Sequence, residues 1–201
     1  DDFSLRIEGV GHTYTADYQT IAEFNDGNNY LHSLKYRATV TAGDITVEGY
    51  DKATFVGSSE FTVLPRENVE VKVTATIANA LVKVEVTDNF KKYFEGGYTL
   101  KLTTAAGNAF DVTEQTEPLF IAPESFTVSG TAVKQPNQSG AEGTTVTLPE
   151  YKNNDAKAQT LYTVKLDVED AGSAQLTITL NDTLVESIDI DAELNDNANA
   201  K

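Results

Sequence analysis

Apolar and polar residues alternate one by one along most of this chain, and at one place the alternation changes step. Between Val69 and Thr87 the apolar residues first fall on odd numbers (Val69, Val71, Val73, Ala75, Ile77) and then on even ones (Ala80, Val82, Val84, Val86). A side-chain period of two marks a strand with one buried and one wet face. A one-residue slip carried through a single continuous strand would turn the second apolar set to water. The pattern therefore predicts that the chain leaves one sheet and enters another at Ala78-Asn79-Ala80. It divides the sequence into an N-terminal domain over 1–78 and a C-terminal domain over 79–201.

Similar alternation recurs on both sides of this step. Phe3, Leu5 and Ile7 predict one strand, and Tyr36, Ala38 and Val40 another, the latter stopping at Ala42-Gly43-Asp44 with a tight connection to Ile45 and Val47. Phe61 and Val63 lead to Pro65, which belongs at a strand end or edge because it cannot donate to a ladder. In the second half Tyr98, Leu100 and Leu102 predict a strand, Ala105–Asn108 a hairpin loop, Phe110 and Val112 the return, and Phe126 and Val128 a further strand. The polar stretch Lys134–Gly143 reads as a loop. The end reads as a meander: Tyr162 to Val168, a turn at Asp170-Ala171-Gly172, Leu176 to Leu180, a turn at Asn181-Asp182, and a return through Leu184, Ile188 and Ile190, with Asn195–Lys201 frayed.

Helical spacing occurs once. Phe90, Tyr93 and Phe94 share one face of a short turn that Asp88 caps and Gly96-Gly97 ends, with the aromatics packed inward. Without intervening helices the strands lack parallel crossovers, so the sheets are expected to be mainly antiparallel. The predicted fold is all-β: two tandem antiparallel β-sandwich domains with one short helical turn.

Composition narrows the function classes. Hydrophobic residues make up 40% of 201 residues, enough for packed cores, and no run of about eighteen apolar residues exists to span a membrane as a helix. The net charge of −16, from 31 acidic against 15 basic residues, speaks against nucleic acid and against direct binding to anionic lipid. Its simplest consequence is solubility. The absence of cysteine excludes disulfides and thiolate metal sites. The chain opens at Asp1-Asp2-Phe3 without Met, the look of a processed or trimmed chain.

Candidate chemistry is sparse. His12 and His32 flank a Tyr-rich segment with no metal-binding spacing near them, and no GxSxG elbow is present. Asp189, Asp191, Glu193 and Asp196 imitate the opening of a calcium loop but lack its central Gly and closing Glu, and the alternation Ile188-Asp189-Ile190-Asp191 explains them as the wet face of a strand. No catalytic, cofactor or metal residues are assigned. The segment Phe24-Asn25-Asp26-Gly27-Asn28-Asn29-Tyr30 is the candidate ligand loop, since aromatic faces and amides together suit sugars. Its competing reading is a turn with Phe24 and Tyr30 anchored in the core.

Three segments carry a family resemblance: Gly57-Ser58-Ser59-Glu60-Phe61-Thr62-Val63, Ile77-Ala78-Asn79-Ala80-Leu81-Val82-Lys83-Val84 and Phe90-Lys91-Lys92-Tyr93-Phe94, with Leu34-Lys35-Tyr36-Arg37-Ala38 as a fourth where a Tyr opens a strand. They resemble a family of Bacteroidetes surface lipoproteins related to the fimbrillins, with domains of unassigned function. The resemblance covers residues 34–130 best. It implies export to the cell surface and outer membrane, a lipid anchor on a cysteine missing from this chain, and two transthyretin-like sandwiches. It implies no catalytic residue and no cofactor. Its implied partners are other pilus or surface subunits joined by strand addition. Within the same resemblance Asp182-Thr183-Leu184 matches a short O-glycosylation sequence, with Thr183 as acceptor at a turn. The expectation is an exported, non-enzymatic surface protein, a fimbrillin-like structural or adhesive component of a pilus or surface assembly, with a non-catalytic carbohydrate-binding lipoprotein as the alternative.

Overall fold

A computed structural model describes residues 3–27, 29–134, 143–169, 175–185 and 190–195. The protein is all-β, with two short helices. It divides into two compact units: the first gathers the described residues of 1–44, 53–78 and 186–201, the second those of 45–52 and 79–185.

In the first unit β1 (Ser4–Gly9), β2 (Thr15–Tyr18), α1 (Ile21–Asp26), β3 (Lys35–Ala42), β4 (Phe55–Thr62) and β5 (Glu70–Ile77) follow in sequence. The second unit carries β6 (Ala80–Val86), α2 (Asp88–Tyr93), β7 (Tyr98–Thr104), β8 (Ala109–Asp111), β9 (Leu119–Ile121), β10 (Phe126–Val133), β11 (Thr145–Thr147), β12 (Tyr151–Asn153), β13 (Thr160–Glu169) and β14 (Gln175–Leu184). The last strand, β15 (Ile190–Asn195), belongs to the first unit, where it pairs antiparallel with β5.

The first unit is one six-stranded sheet of order β15-β5-β4-β3-β1-β2. Pairing of β4 to β5 is confined to Phe55↔Ile77 and Val56↔Thr76. Beyond that end the two strands part, and the sheet closes over a core that takes Leu5 and Ile7 from β1, Tyr36, Ala38 and Val40 from β3, and Val71, Val73 and Ala75 from β5. Gly57 sits where β4 and β5 approach: a Cβ there would stand 2.2 Å from Thr74 O, so glycine is required for the close passage. At the splayed end α1 inserts Phe24 among Ile7, Leu31, Phe61, Val63, Val69 and Val71, leaving a cavity of about 10 Å³.

The second unit is a two-sheet sandwich. One sheet has order β11-β10-β7-β8, with β12 also on β10; the other has order β14-β13-β6-β9. Their inner faces share one core: Leu100, Leu102, Phe126 and Val128 from the first, Val82, Val84, Tyr162, Val164 and Leu166 from the second. Phe90 and Phe94 of α2 join it, with ring centroids 4.7 Å apart and Phe90 edge-on to Tyr98 at 5.3 Å.

The structure departs from the sequence reading in four places. First, β13 pairs parallel with β6, from Leu161↔Leu81 to Leu166↔Val86. The connection that a parallel pair needs carries α2, β9 and the strands of the opposite sheet. Second, Ile45–Lys52 does not return as a strand of the first unit. Gly49 bridges Phe120, donating at 3.0 Å and accepting at 3.1 Å, and the Glu48 carboxylate accepts from Thr104 Oγ1 at 2.6 Å, Asn108 Nδ2 at 2.8 Å and the Ala122 N–H at 3.0 Å. This segment and β15 both depart from a division of the chain in simple sequence order. Third, Asn181-Asp182 makes no turn: both residues continue β14, opposite Thr163 and Tyr162. Fourth, the described residues hold two helices rather than one, and Thr87, not Asp88, caps α2. The loop expected over 134–143 lies mostly outside the described residues, as do the turn at 170–172, Ile188, and the tail beyond Asn195.

Thr87 also links α2 to β13. Its hydroxyl accepts from the Phe90 N–H at 3.2 Å and donates to Asp167 Oδ1 at 2.6 Å, while its own N–H donates to Leu166 O at 3.1 Å. The Thr87 hydroxyl, aided by the Val168 N–H and Lys165, holds the Asp167 carboxyl below the ordinary range for Asp. A depressed folded-state pKa contributes stability above the unfolded pKa and loses it as pH falls through the folded value. In Thr87→Val, the Asp167 carboxyl is therefore expected to titrate at higher pH in an NMR titration, and the acid-side loss of stability attributable to it to shrink. Loss of the cap itself is expected to cost about 1 kcal/mol at neutral pH by urea denaturation.

Candidate functional site

The candidate ligand loop folds largely inward. Thr20-Ile21-Ala22-Glu23 forms a cap: Thr20 Oγ1 accepts from the Glu23 N–H at 3.1 Å, and Glu23 Oε2 accepts from the Gln19 N–H at 2.7 Å. That places Phe24, Asn25 and Asp26 in α1 and makes Gly27 its C-cap. Phe24 is buried, edge-on to Tyr18 with ring centroids 5.2 Å apart. Asn29 donates from Nδ2 to Phe24 O and accepts from Tyr18 Oη at 3.3 Å, so its amide ties the segment down. Tyr30 points away, 68% exposed, and Asp26 is exposed. Asn28 lies outside the described residues. The described residues of the segment thus separate into an inner anchor, buried Phe24 with part-buried Asn29, and an outward aromatic, Tyr30.

Of the other singled-out residues, His12 lies in a bend and His32 in a connecting segment. His12 packs edge-on to Tyr36 with centroids 4.9 Å apart, its Nε2 lies 3.0 Å from Lys35 O, and the His32 carbonyl accepts from Tyr36 Oη at 3.1 Å. Asp191 and Glu193 lie in β15 opposite Thr74 and Lys72, whereas Asp189 and Asp196 lie outside the described residues. Among the described residues no three His, Asp or Glu side chains are gathered to hold a metal ion. Thr183 is exposed on β14, opposite Leu161, and not at a turn.

A groove of about 570 Å³ lies on the sheet of β8, β7, β10 and β11. Strand register builds it. Thr99 stands opposite Thr131, which stands opposite Thr147, and Lys101 stands between Ser129 and Asp111. The Thr99 and Thr131 hydroxyls are 3.0 Å apart. At Gly130 a Cβ would lie 2.3 Å from Thr99 O, so β7 and β10 pass closer there than a side chain allows. The Asp111 carboxylate accepts from the Thr113 N–H at 2.9 Å, and bonding from Thr113 keeps its pKa below the ordinary value. Asp111 stands opposite Lys101 in the ladder. Glu48 fixes the adjoining β7–β8 hairpin through Thr104 and Asn108.

Chemically the groove offers a row of hydroxyls, one cation and one anion, over Thr methyls and the edge of Phe110. It suits hydrogen bonding to a polar ligand, and its lining carries no histidine. The sequence reading missed it because each residue is an unremarkable outward position of a strand. The available signal was the outward row of Tyr98–Thr104 and Phe126–Val133, which carries Thr and Ser more often than charge.

With this geometry described, comparison places the chain among known proteins. Residues 1–196 match the profile of a family described as "Domain of unknown function (DUF4493)". Among curated proteins no sequence matches. Similar solved structures include three that are each named a candidate cell adhesion protein. One from Bacteroides eggerthii is 12% identical with a TM-score of 0.55, covering 92% of this chain and 89% of that one. One from Parabacteroides distasonis is 8% identical with a TM-score of 0.44, covering 90% and 87%. One from Bacteroides uniformis is 9% identical with a TM-score of 0.40, covering 90% and 91%. The first of these shares the fold.

The loop geometry yields a paired test. Phe24→Ala is expected to lose about 3–5 kcal/mol, because it empties the plug of a closed core. Tyr30→Ala is expected to stay within about 0.5 kcal/mol, as an exposed substitution should. Urea denaturation of the two variants reads both, and equal effects would contradict the separation into anchor and outward ring.

Proposed function

The chain belongs to the DUF4493 family, whose function is unassigned, and on that footing we propose that it is an exported cell-surface protein, structural or adhesive, that joins a fimbrillin-like surface assembly by strand addition. One observation carries the reading. The first unit completes its sheet with β15, a strand that reaches β5 only after the chain has built the second unit. The β5 ladder from Glu70 to Ala75 is filled by the backbone of β15. A strand supplied from so far along the sequence is equally well supplied by another copy, since the same ladder forms in either case. The shared fold with a candidate adhesion protein of Bacteroides eggerthii agrees with this reading. A lipid anchor and placement at the outer membrane go with it as parts of the same proposal.

The groove favours a second reading, a non-catalytic glycan receptor on the same surface protein. Its volume of about 570 Å³ and its hydroxyl row match the size and polarity of a small-ligand site.

Two measurements address these readings. Thr74 and Asp191 are paired in register, so in this cysteine-free chain Thr74→Cys with Asp191→Cys sets a disulfide across β5 and β15. Material from the native cell surface, run on a non-reducing SDS gel, is expected to give a covalent ladder. A monomer carrying only an internal disulfide would overturn strand addition. For the groove, Ser129→Trp fills the middle of the site and is expected to abolish capture on a glycan array. Undiminished capture would set the glycan reading aside.

A further inference from the structure

An open strand edge presents unpaired N–H and C=O groups and recruits another strand, so proteins shorten, charge or cover their edges. The second unit closes most of its edges in this way. The β9 edge is three residues long, and beyond it the side chain of Gln115 continues the ladder: the Val84 N–H donates to Gln115 Oε1 at 2.7 Å, and Gln115 Nε2 donates to Val82 O at 2.9 Å. The β8 edge is also three residues, and beyond it Thr113 Oγ1 accepts from the Leu100 N–H at 2.9 Å. The β11 edge is three residues long as well.

Strand β14 is not shortened, and its one charged residue, Asp182, lies near its end. It runs for ten residues, pairs with β13 along its full length, and among the described residues has no strand on its other side. Its sequence, Gln175-Leu176-Thr177-Ile178-Thr179-Leu180-Asn181-Asp182-Thr183-Leu184, contains no Lys, Arg, Pro or Gly.

The strand is also self-complementary, and its longest fully matched register is centred on Ile178. Laid antiparallel on itself about Ile178, it sets Ile178 opposite Ile178, Leu176 opposite Leu180, Thr177 opposite Thr179, and Gln175 opposite Asn181. Apolar meets apolar and polar meets polar over Gln175–Asn181, as favourable cross-strand pairs require, while Asp182–Leu184 extend past the paired span. Moving the centre to Thr179 sets Leu176 against Asp182, and moving it half a residue crosses the two faces. Ile178 and Leu180 are part-buried against the core of this unit, so the matched row extends an apolar face that already exists.

We propose that β14 is a dimerisation edge whose occupant is β14 of a second copy of this chain, paired antiparallel about a two-fold axis at Ile178. The four-stranded sheets of two copies then join into one eight-stranded sheet through a closed, isologous contact. Each chain carries a charge of −16, so the two copies repel at low ionic strength and added salt strengthens the pairing.

The chain has no cysteine, which makes cross-linking clean. Thr177→Cys with Thr179→Cys places two cross-strand pairs in the dimer, whereas each single variant places its cysteine opposite a threonine. The double variant, oxidised and run on a non-reducing SDS gel, is expected to move to twice the 21.8 kDa chain mass, and both single variants to stay at monomer mass. A companion pair guards against a folding defect. By sedimentation equilibrium of the otherwise native protein, Thr177→Lys is expected to weaken the dimer about tenfold by placing an edge lysine in the ladder. Thr177→Lys with Thr179→Glu is expected to restore it by setting opposite charges across the two-fold. A monomer in every sample overturns the proposal, as does equal cross-linking by the single variants, which would mean another register. Cross-linking only when a different protein is present would assign the edge to a foreign strand and overturn it as well. The test lies wholly in the second unit, so it fails or succeeds independently of the disulfide across β5 and β15.

Discussion

The step Ala78-Asn79 is the constraint on which the arrangement of strands depends. The Ala78 N–H donates to Thr54 O at 2.8 Å, which ends the first unit's claim on the chain. One residue later the Asn79 carbonyl accepts from the Gln159 N–H at 2.9 Å, and its amide donates to Ile121 O at 3.4 Å. Asn79 is fully buried, and a buried amide without partners would cost about 1–3 kcal/mol. Its bonds reach toward both strands that flank β6: Ile121 ends β9, and Gln159 precedes β13. Fixing Asn79 therefore sets the order β13-β6-β9 and brings Val82 and Val84 into the sandwich core.

A second regularity is the use of side chains to finish what short strands begin. Gln115 and Thr113 each lend polar atoms to a backbone ladder where β9 and β8 stop. Glu48 does similar work for the hairpin beside the groove, accepting from a threonine, an asparagine and a backbone N–H together. Charge-assisted bonds of this kind are stronger than neutral ones, and they hold the Ile45–Lys52 segment on a unit to which its sequence neighbours do not belong. The groove is consequently rimmed by fixed elements.

What the residues announced, and what they did not, follows from the range of the interactions. Alternation is local, so β5, β6, β7, β10 and β13 were legible from their apolar spacing, and the aromatics of α2 were legible from theirs. The α1 helix left a local signal too: Thr20-Ile21-Ala22-Glu23 has the Thr-x-x-Glu form of a capping box, outweighed in the reading by the Asp-Gly-Asn residues that follow it. The parallel partnership of β6 and β13, the move of Ile45–Lys52 and the return of β15 depend on pairings between residues far apart, and no window of sequence contains them. Asn181-Asp182 misled for the opposite reason: its turn propensity is real, but ten cross-strand pairs with β13 override it. The groove was illegible because it arises from register, which sets Thr99, Thr131 and Thr147 side by side across three strands.

The position of β15 has a consequence for biogenesis. Residues 190–195 are made after the whole of the second unit, yet the first unit's sheet ends on them. A chain emerging from a ribosome thus presents a first unit whose β5 edge stays bare for more than a hundred residues of synthesis. At elongation rates of about 5–20 residues per second, that interval lasts several seconds or more. During it the exposed ladder is a ready mate for any extended chain nearby. A holdase that binds extended chain would keep that edge from mispairing until β15 arrives.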